Sequence, residues 1–540
     1  MMVKKHIVIL LVFFSVGLFG QDNKGTGKNV IPENWYNLDI ETDGVAGVSV
    51  DRAYELLKKK KSTRVIVAVL DNGVQTDHED LIGKIWLNED EIPGNNRDDD
   101  NNGYEDDMHG WNFIGGKSGD VKEDTHELTR VYLSLKEKYG VLKRREVRKE
   151  NWEEFDYWEK IKENFEKTLG EAEEKYNFYS NLKFSVGLYD SLFCIMLGVD
   201  SLTKEDLERV EVKDTNFKQG KSILQFVLNA TKNELTIKEI IHDLKEMEKY
   251  YKDQLDFTYN VRFNPREIVG DNYSDINERY YGNNHVAGPS PEHGTHVAGI
   301  IAANRDNGLG IRGIADNVQV MALRVVPDGD ERDKDIANAI RYAVDNGARV
   351  INMSFGKSYS PGKNAVDKAV QYADSAGVLM IHAAGNEHKN RDVSHRYPLK
   401  NYADSTGKAN NWIEVGATAW KEDKTFVGDF SNYGKNTVDI FAPGVAVYST
   451  VNNNTYKSLD GTSFAAPVVS GVAALLMSYF PHLTATQVKE ILLQSARKIE
   501  GLQVYRPGGE DILVDFSELS TTGGVVNAYL AVQMAKKIKP

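Results

Sequence analysis

Cysteine is almost missing from this chain. Cys194 is the only one in 540 residues, so no intrachain disulfide can form. A protein of this length must then rely on its hydrophobic core, with bound metal ions as the remaining staple. Cys194 sits in the apolar stretch Ser191–Leu197, where it reads as a small hydrophobe rather than a reactive thiol. An excess of positive charge is also lacking: 80 acidic residues face 66 basic ones, and no basic stripe is interleaved with aromatics. Nucleic acid is therefore disfavoured as a partner. Lys58–Lys61 reads as a solvated turn. Long apolar runs are scarce too. The one at the N-terminus, Ile7–Phe19, follows Lys4, Lys5 and His6 and precedes Gly20, Gln21 and Asp22. That order of charge, apolar run and small polar residues marks residues 1–20 as a secretory signal, too short to serve comfortably as an anchor. No later segment reads as long and apolar enough to cross a membrane. The expectation is export to a periplasm or the exterior, with no stable membrane anchor after signal removal.

Three short stretches carry chemistry. Val65–Val74 is a β-branched apolar run that stops at Asp71 before a Gly-containing turn, so it reads as a buried strand delivering a carboxylate at its C-terminal end. His293-Gly294-Thr295-His296 and Gly461-Thr462-Ser463 each precede small apolar residues that read as buried helices. Taken alone, an Asp after a strand is usually a turn or cap residue, and Gly-Thr-Ser is common in loops. The pair of histidines lacks the His-Glu-x-x-His spacing of the common zinc helix. Together they supply an acid, a base and a hydroxyl, the groups that turn a serine into an acylating nucleophile. A further strand, Val378–His382, leads to Asn386.

The order Asp, His, Ser and the motifs around them resemble the subtilisin-like serine proteases over roughly residues 35–115 and 275–540. The resemblance implies a secreted endopeptidase acting on protein or peptide substrates. Its catalytic residues would be Asp71, His293 and Ser463, with Asn386 donating to the oxyanion and Thr462 assisting behind it. It also implies that Ser354, Phe355, Gly356, Ala383, Ala384 and Gly385 pair with an extended substrate and wall its primary specificity pocket. A pocket walled by glycine backbone with no evident charge would suit a bulky apolar residue. Asn72 stands where many relatives have Ser or Thr, and Phe464 where Met is usual. Two other readings remain open: a processing protease for one partner, and a catalytically silent binding protein on the same fold.

Strands and helices alternate from Val318 onward: strands over Gln319–Val326, Arg349–Met353, Val378–His382, Trp412–Ala417 and Thr437–Phe441, helices over Asp335–Asp345 and Asn364–Ser375. Continuous apolar strands alternating with helices predict an α/β fold with a mostly parallel sheet covered on both faces, a three-layer arrangement. Functional residues gather at the C-terminal strand ends of such sheets, where Asp71 and Asn386 both fall. Residues 21–34 read as a mobile leader, 35–115 as the first part of the catalytic domain and 281–540 as the second. Residues 116–280, dense in Lys and Glu, read as a mainly helical insertion. Its clearest helix opens with Thr236 and Glu239 at capping-box spacing, followed by Ile237, Ile240, Ile241 and Leu244 on one face.

Asp98-x-Asp100-x-Asn102-Gly103-x-x-Asp106 sets oxygen ligands at alternate positions around a glycine turn. Position twelve is His109 rather than Glu, so this is no EF-hand. A structural calcium site on Asp98, Asp100, Asn102 and Asp106 is expected, with an ordinary polar turn as the alternative.

Overall fold

The computed structural model describes residues 31–231, 235–509 and 511–539. The expected signal, 1–20, and most of the leader lie outside them. The described chain divides into two compact units. One is Leu128–Phe263; the other holds the residues up to Glu127 and those from Asn264 onward.

The larger unit is built on a nine-stranded sheet. Its strands are β1 (Val65–Asp71), β2 (Gly110–Asn112), β3 (Val318–Arg324), β4 (Val350–Met353), β5 (Leu379–Ala383), β6 (Trp412–Thr418), β7 (Ile440–Pro443), β8 (Arg497–Lys498) and β9 (Gly524–Val525). Across the sheet they run β8-β9-β7-β6-β5-β4-β1-β3-β2. Among the described residues the β8–β9 pair of this sheet is antiparallel and its other pairs are parallel. Strand periodicity divides β1 between two cores. Val65, Val67 and Val69 join one apolar cluster with α1 (Glu292–Ala302) and α4 (Thr462–Tyr479). Ala68 and Leu70 join the other with α2 (Asp333–Asp345) and α3 (Lys363–Ser375). Two helical layers thus enclose a sheet, which is the three-layer α/β fold expected. A strand apolar on both faces is stable only when both are covered, and that is why β1 reads as an unbroken hydrophobic run.

One expectation fails here. Thr462–Tyr479 is long and apolar enough to cross a membrane by length and composition. Every residue of it is buried within the larger unit, against β1, β4, β5, β6 and β7, so its hydrophobicity is that of a core helix.

The smaller unit is helical. Trp152–Leu197 runs for 46 residues and stops at Gly198, whose φ of 66° closes the helix in the left-handed region. Thr215–Ala230 and Ile237–Asp253 pack against it. The second of these opens with the reciprocal cap: the Thr236 N–H donates to Glu239 Oε2 at 2.7 Å, and the Glu239 N–H to Thr236 Oγ1 at 3.3 Å. Ile237, Ile240 and Leu244 bury against Val186, Phe193, Leu224 and Val227. Cys194 is half-buried at the edge of that cluster. The two ends of the unit meet where Thr129 Oγ1 donates to the Thr258 carbonyl at 2.8 Å. Residues 116–127 and 264–280 belong to the larger unit. There Lys357 holds Glu127 at 2.7 Å, and Arg266 grips Asp335 through two bonds of 2.7 and 2.8 Å.

Candidate active site

Asp71 is the last residue of β1, and His293 the second of α1. His293 Nδ1 lies 2.7 Å from Asp71 Oδ1. The close approach of α1 to the strand end requires Gly294, because a Cβ there would stand 2.2 Å from the Gly73 carbonyl oxygen. Asn72 ties the two elements: its Oδ1 accepts the Gly294 N–H at 2.9 Å, and its Nδ2 donates to the Ser290 carbonyl at 2.7 Å. Burial lowers the affinity of the His293 ring for a second proton, but the Asp71 carboxylate outweighs it and sets the pKa above the usual histidine value. The other histidine of the motif points elsewhere. His296 is buried with Nε2 3.0 Å from the Val447 and Lys457 carbonyls, and burial first of all holds its pKa down at about 3.

Ser463 is the second residue of α4, so its backbone N–H belongs to the first turn and has no intrahelical acceptor. Pro467, four residues on, has no N–H to offer the Ser463 carbonyl. Ser354 Oγ supplies the missing donor at 2.7 Å, and is itself held by Asn352 Nδ2 at 2.9 Å. The helix start is thereby bolted to the end of β4. Phe464 packs its ring 5.2 Å from that of His293 and 4.4 Å from that of His296.

Asn386 follows β5. Its Oδ1 accepts the Thr462 N–H at 2.9 Å and Thr462 Oγ1 at 2.8 Å. A backbone N–H can only donate, so the carboxamide oxygen is fixed toward Thr462 and the Nδ2 donors face the other way. Thr462 Oγ1 in turn accepts the Gly385 N–H at 3.0 Å.

Asn72, His293, Ser354, Phe355, Ala383, Gly385, Asn386 and Ser463 line one cleft of about 560 Å³. Gly356 and Ala384 do not line it. Ala384 is buried under Val415 and Asn432, and Gly356 abuts the side chain of Arg396. Among the described residues no hydrogen bond joins Ser463 to His293; contacts of this kind tighten in the Michaelis complex. A carboxylate-held imidazole, a serine at a helix start and an anchored carboxamide in one cleft can together perform acyl transfer.

Two contributors were not legible in the motifs. His382, buried in β5, places Nε2 2.9 Å from the Phe355 carbonyl and so links the two expected substrate-binding segments. Arg396 lines the cleft from a loop eleven residues beyond Gly385. The expectation of an uncharged pocket missed it because no local spacing rule places a loop side chain.

The acidic loop brings together a cluster of carboxylates that only partly overlaps the expected set. Both Asp98 oxygens accept backbone N–H groups, of Asn102 and Gly103, and both Asp106 oxygens accept those of Asn95 and Asn96. The oxygens that converge within 4.8 Å belong to Glu91, Asp100 and Asp107. Asn102 instead uses its Nδ2 to hold Asp100 and Asp107 at 3.0 and 2.9 Å. Glu91 and Asp107 lie outside the alternating motif, so spacing alone could not recruit them. Among the described residues, Glu91 Oε2 is buried without a partner. Burial pushes up the pKa of both Glu91 and Asp107, with neighbouring carboxylates adding to it. A buried carboxylate with an unpartnered oxygen, clustered with two others, fits a hard divalent cation.

The subtilase family profile (peptidase S8) matches residues 189–517, more than half of the chain, and the chain belongs to that family. It is a subtilisin-like serine peptidase. Subtilisin DY of Bacillus licheniformis is 38% identical over 217 residues, 40% of this chain and 74% of that protein. Thermitase of Thermoactinomyces vulgaris is 37% identical over 242 residues, 45% of this chain and 75% of thermitase. The cell wall-associated protease of Bacillus subtilis strain 168 is 36% identical over 251 residues, 46% of this chain and 26% of that protein. The profile match contains His293, Asn386 and Ser463 but not Asp71, which only the folded chain brings to the others.

Proposed function

We propose that Ser463 is the nucleophile of an exported endopeptidase, with His293 as its general base and Asp71 as the orienting acid. The observation that carries this reading is the 2.7 Å contact from the buried Asp71 to His293, which lines the same cleft as Ser463. His293 takes the Ser463 proton as Oγ attacks the scissile carbonyl, then gives it to the leaving amine. Asp71 keeps the proton-bearing Nδ1 turned inward and stabilises the imidazolium. The oxyanion is met by Asn386 Nδ2 and the Ser463 N–H, which the start of α4 supports with its positive end. The segments Ser354–Gly356 and Ala383–Gly385 would hold the substrate main chain on either side of the scissile bond.

Glu91, Asp100 and Asp107 would hold a calcium ion. Its contribution is structural: it offsets the repulsion of three partly or wholly buried carboxylates and fixes the loop before β2. Export is supported by the charge and apolar pattern of residues 1–20. The similarity to a protease named for its association with a cell wall points the same way.

An active-site-directed phosphonate should label Ser463, and Ser463→Ala should lose both the labelling and nearly all peptide hydrolysis. Full turnover in Ser463→Ala would sink the assignment. Labelling of the native protein without turnover of any peptide would favour a silent binding protein.

A further inference from the structure

Four charged side chains line the cleft, Glu292, Arg396, Lys457 and Asp460, and of these Arg396 lies against both Gly356 and Gly385. Arg396 reaches between the two substrate-binding segments: a Cβ on Gly356 would stand 2.8 Å from its Nε, and one on Gly385 2.6 Å from its Cδ. Both glycines are therefore needed for the arginine to occupy this place. Its own segment is pinned to the first wall, since Lys357 and Tyr397 exchange backbone hydrogen bonds of 3.0 and 2.8 Å. Among the described residues the guanidinium is ion-paired to Glu387, with the buried Glu331 carboxylate acting on it from further away. Arg396 Nη1 lies 2.5 Å from Glu387 Oε1, and the second oxygen of Glu387 accepts Asn432 Nδ2 at 2.6 Å. Glu387 is thus engaged at both oxygens and does not line the cleft, whereas Arg396 does. Among the described residues, Arg396 Nε is buried without an acceptor.

We infer that Arg396 is the residue that sets specificity at the position preceding the scissile bond, and that it selects an acidic side chain there. The inference rests on Ser463 being the nucleophile, because that fixes which end of the cleft receives this residue. A guanidinium carries five donors in a rigid fork, so one contact to Glu387 leaves others for a substrate carboxylate. Glu387 acts as the positioning residue, orienting the fork and preventing it from folding out into water. An aromatic or aliphatic substrate side chain would cover the guanidinium without replacing its lost hydration, which is costly. A lysine would meet like charge.

The test uses the full chain and four internally quenched peptides, identical except for Glu, Gln, Phe or Lys before the scissile bond. The Glu peptide should exceed the Phe peptide in kcat/KM by about tenfold or more, and Arg396→Ala should reverse that order with a relative change of about 100-fold. Arg396→Gln, which keeps most of the side-chain volume, should reduce the preference for Glu without a loss of folding. Glu387→Gln should raise the ratio of Glu to Gln cleavage, because it removes the competing carboxylate charge. A native enzyme that prefers Phe or Lys would overturn the role of Arg396. So would a Glu-to-Phe ratio that neither Arg396 variant changes. Failure to hydrolyse any of the four peptides, with no phosphonate labelling, would overturn the serine-peptidase reading of the cleft along with it.

Discussion

The backbone N–H of Thr462 decides which way the Asn386 carboxamide faces, and with it which atom can meet developing negative charge. Replacing Asn386 with Ala should lower kcat by about 100- to 1000-fold while leaving KM nearly unchanged, since the lost donor acts in the transition state. His293 makes a prediction about pH. Its carboxylate partner raises the pKa, and only the neutral ring can accept the serine proton. Activity should therefore fall on acidification with a midpoint in the free enzyme above about 6.5, the ordinary histidine value. Asp71→Asn should remove most of that upward shift as well as most of the rate. A pH profile of kcat/KM for the two proteins checks both statements. At this scale the sequence was informative where a residue belongs to a short local pattern. Asp71 closes a strand, His293 and Ser463 lie in the first turns of helices and Asn386 follows a strand, and these motifs together with the resemblance they carry marked all four as candidates. Arg396, His382, Glu91 and Asp107 are brought to the cleft, its wall or the acidic cluster by contacts of the folded chain, which no local pattern encodes.

Elements were legible for a different reason. The main strands are apolar on both faces and the helices between them on one, so period and length together separate them. Boundaries moved by one to three residues, as with the strand expected at Thr437–Phe441 and found at Ile440–Pro443. The helix that carries Ser463 held a surprise that composition could not resolve, because a core helix and a membrane span have the same hydrophobicity. Pro467 gives that helix a specific dependency. It leaves the Ser463 carbonyl without its helical donor, and Ser354 Oγ fills the place. Ser354→Ala should cost about 1–3 kcal/mol of stability, the penalty of a buried unsatisfied acceptor, and should lower kcat by loosening the helix start. Denaturant unfolding beside steady-state kinetics would measure both. A variant as stable and as active as the parent would show that another donor reaches the carbonyl.

For the whole molecule, the absence of disulfides shifts weight onto the core and onto the acidic loop. If Glu91, Asp100 and Asp107 hold calcium, chelation should lower the unfolding temperature by several degrees. An ion at a hundredfold excess over its dissociation constant contributes about 2.7 kcal/mol. Asp107→Asn should abolish most of the difference between melting curves with and without chelator. The helical unit Leu128–Phe263 contains none of the residues lining the cleft. Joining Glu127 to Asn264 through a short linker should therefore preserve hydrolysis of small peptides, and a comparison on folded proteins would report whether the unit screens substrates. The bond between Thr129 and Thr258 has a further consequence, for the order in which the chain folds. Asp71 and His293 are 222 residues apart, and their meeting closes a loop of that length in an otherwise unfolded chain. Once the helical unit has formed, its ends are already together and the remaining loop is roughly 90 residues, which reduces the closure entropy by about 0.8 kcal/mol. Local helical contacts also form faster than parallel strand pairing. Refolding of the larger unit should accordingly slow when the helical unit is destabilised, for instance by Leu244→Ala in its core, even though that residue is remote in sequence from every strand of the sheet.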